Sequence, residues 1–369
     1  MKTAIVYDWI DRWGGVERLL LELHNLFPDA DFFTSSVDLQ KAPWAKRLIV
    51  KTSFLQYLPD FIKKSRIASL LFYPFAFESL SFEGYDLVIS VTSSFAKSII
   101  TKPQTKHICI LLTPSRYLLL YPHPFEKGLF SFLLKSYLSF MRRWDNIAAQ
   151  RPDQIIAISH EVSKRCKTYY HRESTVIYPP FDVNYWMSLK NSLNPQSRLL
   201  PKGWGTYYLV VSRLEPYKKV SLVIDAFNQL PQNKLVIVGK GSLLARYKSN
   251  SRENTIFLQD VDDSQLASLY TNAKALIMMQ EEDFGYTALE AQFFGCPVLA
   301  FGEGGVLETV IEGKTGIFFS RQTPDALVAT LERFDKISYN FKRNMQILGY
   351  NQALRFGKEV FITKFKHIL

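Results

Sequence analysis

Two basic side chains follow one strand-like segment, and their chemistry suits phosphate. Arg213 and Lys218 come directly after the apolar run 207–211 and before a helix that reaches about Leu230. A guanidinium can hold phosphate oxygens in a bidentate manner, and an ammonium acts as a point charge. The N-terminus of the following helix adds backbone N–H groups and a favourable dipole. The spacing predicts a diphosphate site, with an ordinary basic surface turn as the alternative.

Two carboxylates follow another strand-like segment, 275–279. Glu282 is predicted to lie in a loop, and Glu290 about five residues into a helix that starts near Gly285. At about 1.5 Å rise per residue they lie roughly one and a half turns apart, which suits separate hydroxyl groups of one ligand. After Phe284, Gly285 would let a ligand approach backbone N–H groups. An acidic first turn favoured by the helix dipole would explain Glu282 but not Glu290.

Glycine-rich segments lie between a strand and a helix at two further places. One is Gly14–Gly15, after the strand 3–7, and the other is Gly302–Gly305, after the strand 297–301. Each could cradle a phosphate or a sugar, although glycines also make ordinary tight turns. Neither fits GxGxxG with a downstream acid, so a dinucleotide site is poorly supported.

Short apolar runs that alternate with helix-like segments must position these residues. The chain has 369 residues, 47% apolar and 21% charged, which is ordinary globular composition and suits two domains. The alternation predicts an α/β fold with two doubly wound parallel sheets and a ligand cleft between the domains. The predicted bounds are 1–180 for the first domain, 181–205 for a linker, 206–350 for the second domain and 351–369 for a C-terminal helix.

Positive charge is stronger in the first half. Lys and Arg number 45 against 34 Asp and Glu, a formal net charge of +11. Up to residue 180 the count is 23 against 16, and after it 22 against 18. A basic surface suits nucleic acid, anionic lipid or phosphorylated substrates, and it also aids solubility alone. No recognised nucleic-acid module accompanies the charge, so nucleic acid is not a predicted partner.

Several features predict a cytoplasmic protein. The longest run without Asp, Glu, Lys or Arg is the 12 residues 291–302, too short for a transmembrane helix. The first residues lack the apolar core of a signal peptide. The three cysteines, without a CxxC pair, fit a reducing compartment rather than a disulfide frame or a zinc site.

Taken together, the motifs resemble those of family 4 (group 1) glycosyltransferases with the GT-B fold. The sharper likeness is to bacterial mannosyltransferases of O-antigen and exopolysaccharide assembly. The segments that carry the resemblance are Gly14–Glu17, Thr113–Tyr117, Trp144–Asp145, Tyr178–Asp182, Arg213 with Lys218, Glu281–Gly285 with Glu290, Phe301–Gly305, Glu308–Val310 and Thr315–Gly316.

The resemblance implies a role for each candidate residue. Arg213 and Lys218 would hold the donor diphosphate, Glu290 would bind the ribose, and Glu282 with Phe284–Gly285 would contact the transferred sugar. Gly14–Gly15 would approach phosphates or acceptor from the opposite domain. Arg116, in the matching segment 113–117, is a further substrate-binding candidate. Catalysis is assigned to Glu282, Arg213 and Lys218, and the C-terminal helix would cross back to the first domain.

The implied reaction is retaining transfer of a sugar, with mannose from GDP-mannose as the best guess, to a lipid-linked or growing saccharide. The resemblance implies that the sugar configuration is retained without a metal, by front-face attack in which the leaving diphosphate helps to deprotonate the acceptor. The sequence contains no DxD or other clear metal-ligand set, and no cofactor is expected. Asp262–Asp263 is interpreted as a helix cap.

One position departs from the family. Related enzymes carry a His just before the Thr-Pro-x-Arg-Tyr segment, where this chain has Leu112. His107, five residues earlier on the same strand, would point to the other face. The departure favours one alternative, a catalytically silent GT-B subunit that supports a partner enzyme. A GT-B sugar-nucleotide epimerase is the nearest enzymatic alternative.

Two stretches of the first half, 61–73 and 129–144, mix aromatic, aliphatic and cationic residues. They predict peripheral binding to an anionic membrane surface, on the inner face of the plasma membrane, where a lipid-linked acceptor could be reached. Buried helices with cationic ends are the alternative.

Overall fold

The computed structural model describes residues 1–63, 65, 68–120, 131–192, 199–201, 203–337 and 339–369, with only the backbone at 117, 120, 131–134 and 339–342. The chain divides into two compact units, Met1–Pro179 and Pro180–Leu369. Parts of the predicted linker (193–198 and 202) and of the two predicted membrane stretches (64, 66, 67 and the start of 129–144) lie outside this description.

The first unit has a parallel sheet with helices between its strands, in the order β3-β2-β1-β4-β5-β6-β7. Its described strands are β1 Thr3–Tyr7, β2 Asp31–Thr34, β3 Val50–Thr52, β4 Leu87–Thr92, β5 Lys106–Leu111, β6 Gln154–Ala157 and β7 Thr175–Val176. Its described helices are α1 Gly15–Leu26, α2 Asp60–Lys63, α3 Tyr73–Glu78, α4 Ser131–Ala148 and α5 His160–Tyr170, with 3-10 turns at Pro43–Arg47, Phe54–Tyr57, Ala68–Leu71 and Ala96–Ser98 and a π-helical turn at Arg116–Leu120.

The second unit repeats this design with the order β10-β9-β8-β11-β12-β13, again parallel throughout. Its described strands are β8 Tyr207–Val211, β9 Leu235–Val238, β10 Thr255–Leu258, β11 Ala273–Met278, β12 Val298–Phe301 and β13 Gly316–Phe319. Its described helices are α6 Val183–Asn191, α7 Val220–Gln229, α8 Leu244–Asn250, α9 Asp263–Asn272, α10 Tyr286–Phe293, α11 Val306–Thr309, α12 Pro324–Lys336, α13 Tyr339–Leu354 and α14 Lys358–Lys366, with a 3-10 turn at Pro216–Lys218.

The predicted α/β class with two parallel sheets is confirmed. In each sheet the strand order reverses beside the first strand, at β1–β4 in the first unit and at β8–β11 in the second. Open parallel sheets bind ligands at such switch points, outside the carboxyl ends of the strands. The cleft between the domains and the crossing of the C-terminal helix stay predictions.

The start of the predicted linker is ordered in the structure. Asp182 caps α6 by accepting a hydrogen bond from the backbone N–H of Tyr185, at 3.0 Å. Trp186 on that helix is buried, stacks on Phe181 and meets the ring of Phe294 edge-on. Burial of this indole fixes the first part of the predicted linker as a packed helix.

Candidate functional site

The switch point of the second sheet brings together two of the predicted loops. Strands β8 and β11 are paired neighbours, with Leu209 in register with Leu276. Arg213 follows the carboxyl end of β8, and Glu282 follows the carboxyl end of β11. The basic and acidic motifs, far apart in sequence, therefore lie at the same edge of one sheet.

The Arg213 loop is positioned by two glycines of the next strand–helix connection. The backbone N–H of Leu214 donates to the Lys240 carbonyl at 2.8 Å. A Cβ on Gly239, whose φ is +150°, would lie 1.9 Å from the Ser212 carbonyl oxygen, and one on Gly241 would lie 2.4 Å from the Leu214 carbonyl oxygen. These glycines lack the pattern of a dinucleotide site, and their role is close backbone packing.

Tyr217 lies between the two predicted phosphate-binding cations. The Arg213 guanidinium carbon is 5.6 Å from the centre of the Tyr217 ring, and Lys218 Nζ is 5.5 Å from it. Cation–π attraction of this kind contributes about 0.5–1 kcal/mol at exposed sites. Arg213 is exposed, whereas Lys218 is buried. Both cations thus contact the same ring, which sequence reasoning did not foresee.

Lys218 and Glu282 form an ion pair across the switch point. Lys218 Nζ donates to Glu282 Oε1 at 2.6 Å, and the two side chains are only 11% and 17% exposed. Gln280 Nε2 donates to the same carboxylate oxygen at 2.5 Å. Sequence reasoning missed Gln280, although a buried amide directly after a core strand is a detectable signal.

The second glycine-rich loop supports the loop that carries Glu282. The backbone N–H of Gly305 donates to the Glu282 carbonyl at 2.7 Å. Gly304 has φ +79°, and a Cβ there would lie 2.5 Å from that carbonyl oxygen. A Cβ on Gly305 would lie 2.4 Å from the Asp283 carbonyl oxygen. The loop Gly302–Gly305, predicted as a phosphate or sugar cradle, therefore also holds the Glu282 loop in place.

The structure places Phe284 and Gly285 at the start of α10, as predicted. The Phe284 ring is buried and packs edge-on against Tyr286 and Phe356. Gly285 precedes α10 with φ +99°, a conformation that L side chains rarely adopt. Because the ring is packed away, only the backbone of this pair remains suitable for a ligand contact.

Glu290 is buried on α10, where its Oε2 accepts a hydrogen bond from the Tyr270 hydroxyl at 3.0 Å. Asp262 caps the helix that carries Tyr270, through a capping box with Gln265, so the predicted cap is confirmed. The Tyr270 hydroxyl orients the Glu290 carboxylate. Its ribose-binding role stays a prediction.

In the first unit, Gly14 immediately precedes α1 and Gly15 is the first residue of that helix. Gly14 has an extended backbone, and a Cβ there would lie 3.2 Å from Glu17 Oε2. Glu17 is buried, accepts a 3.4 Å hydrogen bond from the Tyr7 hydroxyl, and has its pKa raised to about 7 by burial. The first turn of α1 thus carries a titratable carboxyl close to these glycines.

Asp8 closes the switch point of the first sheet. Its buried carboxylate accepts hydrogen bonds from the Thr92 hydroxyl at 2.8 Å and from the backbone N–H groups of Ser93, Phe95 and Ala96 at 2.7–2.8 Å. A carboxylate with several donors is a strong tie between two strand ends. An acid directly after an apolar strand is the sequence signal for it.

Arg116 opens the π-helical turn that follows β5. The backbone N–H of the preceding Ser115 donates to the Tyr170 hydroxyl at 3.1 Å, and that hydroxyl donates to buried Asp145 at 2.8 Å. Asp145 is in turn paired with buried Lys97 at 2.5 Å. This network fixes the loop from which Arg116 projects.

Leu112, at the position of the family histidine, is buried. His107 is fully buried on the same strand, with Nε2 2.8 Å from the Ser90 hydroxyl. It therefore does not replace the missing group. Across the described ranges, no cluster of three or more His, Cys, Asp or Glu side chains is arranged to hold a metal ion. None of the described helices is long and apolar enough to cross a membrane.

Comparison with known proteins finds a family similarity within the second unit. Residues 197–351 match the family described as "Glycosyl transferases group 1". Alpha-1,3/1,6-mannosyltransferase ALG2 of Dictyostelium discoideum is 27% identical over 241 residues, which cover 55% of this chain and 56% of that protein. The chain thus spans about half the length of the curated relatives it matches.

Two solved structures show how far the fold extends. Sucrose-phosphate synthase from Thermosynechococcus elongatus superposes with a TM-score of 0.74 at 17% identity, covering 100% of this chain and 98% of that one. Anabaena Alr3699/HepE in complex with UDP-glucose gives 0.68 at 19% identity, covering 99% and 100%. The chain therefore has the GT-B fold of these structures, and its residues 197–351 are similar to the group 1 glycosyltransferases.

Proposed function

We propose that the protein is a glycosyltransferase that uses a nucleotide-sugar donor. The observation that carries this proposal is the meeting of the Arg213–Lys218 loop and the Glu282 loop at the switch point of the second sheet. The loop with the cations suited to a diphosphate is therefore in direct contact with the carboxylate suited to sugar hydroxyls, through the Lys218–Glu282 ion pair. The alternative of a solvated basic turn does not account for a buried Lys218 that is paired with Glu282.

The donor is best assigned as a sugar diphosphate of a nucleoside, with mannose from GDP-mannose as the leading choice. The mannosyltransferase relative supports mannose. The UDP-glucose in the HepE structure makes UDP-sugars the first competitors. The acceptor is a lipid-linked or growing saccharide of the cell surface.

The residues divide the work as follows. Arg213 and Lys218 bind the diphosphate and stabilise the charge that builds on it as it leaves, which is the larger part of such catalysis. Glu290 binds the ribose, and Glu282 with the backbone of Phe284–Gly285 orients the transferred sugar. The configuration of the sugar is retained, and the leaving diphosphate helps to deprotonate the acceptor. No metal takes part.

The first experiment is a screen of GDP-, UDP- and ADP-sugars for protection against thermal unfolding, because a ligand that binds the folded state raises its midpoint. The best donor is then incubated with candidate saccharide acceptors, with and without EDTA. Donor protection and an α-linked product in EDTA support the proposal. Absence of protection by every nucleotide sugar would remove it.

Leu112 favours a second candidate, a donor-binding subunit that lacks transfer activity. Leucine cannot move a proton or donate a hydrogen bond, unlike the histidine of related enzymes. Donor protection without transfer to any acceptor would support this reading. Leu112→His would then be the informative variant, since gained transfer would show that the residue alone blocks the chemistry.

A second part of the proposal is peripheral binding of the first unit to anionic lipid. The two basic aromatic stretches meet, because the Tyr137 hydroxyl on α4 donates to the Leu70 carbonyl at 3.1 Å. Beside this contact, Leu71 and Phe140 expose 54% and 58% of their surface. Exposed apolar side chains near Lys and Arg are typical of surfaces that rest in the headgroup region.

A further inference from the structure

The amide of Gln280 lies where it can control the orientation of Glu282. Gln280 follows β11 by two residues and is only 5% exposed. Its Nε2 donates to Glu282 Oε1 at 2.5 Å. A carboxylate offers only acceptors, so the amide nitrogen, rather than its oxygen, must face it.

Lys218 shares that carboxylate oxygen, and the two donors differ in what else attracts them. Lys218 Nζ lies 2.6 Å from Oε1 and is also the cation assigned to the donor diphosphate. A diphosphate carries more negative charge than one carboxylate and competes for the ammonium. The neutral amide of Gln280 has no such competitor, and its burial limits the rotamers it can adopt.

We propose that Gln280 is a positioning residue that keeps the Glu282 carboxylate directed at the transferred sugar when Lys218 turns towards the diphosphate. This inference rests on the proposed function. It assigns to Gln280 no contact with the substrate. Its effect is expected in the sugar half of the donor, because its amide acts on the Glu282 carboxylate.

The test compares calorimetric binding of a nucleoside diphosphate and its sugar ester, first GDP with GDP-mannose and then UDP with UDP-glucose. Gln280→Met keeps length and packing volume but removes the donor. We expect affinity for the bare diphosphate within about twofold of the parent, and roughly tenfold weaker binding of the sugar ester, since a charge-assisted hydrogen bond is lost. A general loss of structure would weaken both ligands together.

Gln352→Met is the matched control. Gln352 is equally buried, at 5%, and its amide donates to the Glu308 carbonyl at 3.3 Å. This variant should leave the ratio of the two affinities unchanged. An unchanged ratio in a folded Gln280→Met would overturn the role of Gln280 alone, whereas a parent protein that binds no nucleotide would overturn the proposed function.

Gln280→Glu provides a second measurement if the methionine variant does not fold. It places a second carboxyl beside Glu282, and two adjacent carboxylates resist joint ionisation. Binding of the sugar ester should then be roughly tenfold weaker than in the parent at pH 8, with a smaller loss for the bare diphosphate. Equal affinity of variant and parent for the sugar ester would contradict the proposal.

Discussion

Lys218 and Glu282, 64 positions apart in sequence, form a 2.6 Å ion pair at the switch point of the second sheet. Both side chains are largely buried, so each would be costly to leave without its partner. The cation proposed for the donor diphosphate is thus already neutralised in this structure. A donor that binds through Lys218 must weaken this ion pair. Arg213 is not part of the pair, so the two predicted cations are expected to behave differently when they are substituted.

Lys218→Met should lower the free energy of unfolding more than Arg213→Ala, whereas the two variants should lose similar affinity for nucleoside diphosphate. Loss of the buried ammonium leaves the Glu282 carboxylate short of a donor and should cost about 1.5–3 kcal/mol of unfolding free energy. Arg213 is exposed, so its removal should change stability by less than about 0.5 kcal/mol. Both variants should bind nucleoside diphosphate roughly ten- to a hundredfold more weakly.

Urea denaturation and calorimetry measure the two effects separately. Equal stability of Lys218→Met and parent would mean that the ion pair contributes nothing. Folded variants of both residues that bind diphosphate like the parent would remove the donor-site assignment, and with it most of the case for transfer.

The two glutamates should separate the halves of the donor. Glu290→Ala should weaken nucleoside diphosphate and sugar ester alike, because a ribose contact does not depend on the sugar. Glu282→Ala should weaken only the sugar ester. Each loss should be roughly tenfold for one hydrogen bond to a charged group. Calorimetry of both variants with both ligands decides, and the reverse pattern would exchange the two assignments.

The parallel sheets could be predicted because buried strands have a clear local signal. Thr3–Tyr7 and Tyr207–Val211 form strands at the predicted bounds. Strands β2 and β3 were not predicted. β3 has three residues, none of them fully buried, whereas β2 has four residues, as many as β9 and β10. Pairing with β1 and with each other, rather than local composition, makes these segments strands.

The candidate site was predictable in its parts but not in its contacts. Glycines, cations and carboxylates between strands and helices were visible as motifs. That Lys218 meets Glu282, or that Gln280 shares the same oxygen, depends on which strands are neighbours. Strand order is a long-range property, so no local pattern contains it. The same holds for Asp8, whose donors lie 84 to 88 positions away.

Gly239→Ala should disrupt the Arg213 loop. Its Cβ would lie 1.9 Å from the Ser212 carbonyl oxygen, in a backbone conformation that disfavours any side chain. Forced backbone displacement typically costs about 1–3 kcal/mol, and nucleotide binding should fall with it. Gly313→Ala is the control, because Gly313 also has positive φ, +70°, but nothing lies within 4 Å of its Cβ. Equal stability loss in the two variants would show that strain, not the contact with Ser212, is responsible.

Glu17 should give the first unit a stability component that is lost as pH rises. Burial raises the pKa of Glu17 from 4.5 to about 7, so between these values the folded state holds a proton that the unfolded state has released. By linkage this contribution is complete below pH 4.5 and disappears as pH rises through 7. Between pH 5 and pH 8 the free energy of unfolding of Glu17→Gln should therefore rise relative to that of the parent, by about 3 kcal/mol at most.

His107 offers the opposite sign as a control. Burial lowers its pKa from 6.5 to about 3, so its contribution is lost as pH falls through this range. Relative to the parent, His107→Asn should gain stability as pH falls, and Glu17→Gln should gain stability as pH rises. Urea denaturation at four pH values tests both. A Glu17→Gln curve parallel to that of the parent would contradict the raised pKa.

Membrane binding should depend on both apolar and basic residues around the Tyr137–Leu70 contact. Phe140→Ser removes an exposed aromatic and should weaken binding to phosphatidylglycerol vesicles roughly tenfold. Lys135 and Arg143, exposed on the same helix, add electrostatic attraction of about 1 kcal/mol each. Their reversal to Glu should therefore abolish sedimentation at low salt, and at high salt the difference from the parent should shrink through screening.

Ile347→Ser is the matched control for the apolar part, because Ile347 in the second unit is 56% exposed, close to the 58% of Phe140. It should sediment like the parent. Neutral phosphatidylcholine vesicles distinguish the contributions further, since they keep the apolar surface but remove the charge. A folded parent that stays in solution with anionic vesicles at low salt would overturn peripheral binding. Equal losses in Phe140→Ser and Ile347→Ser would show that the surface around α4 has no special part in it.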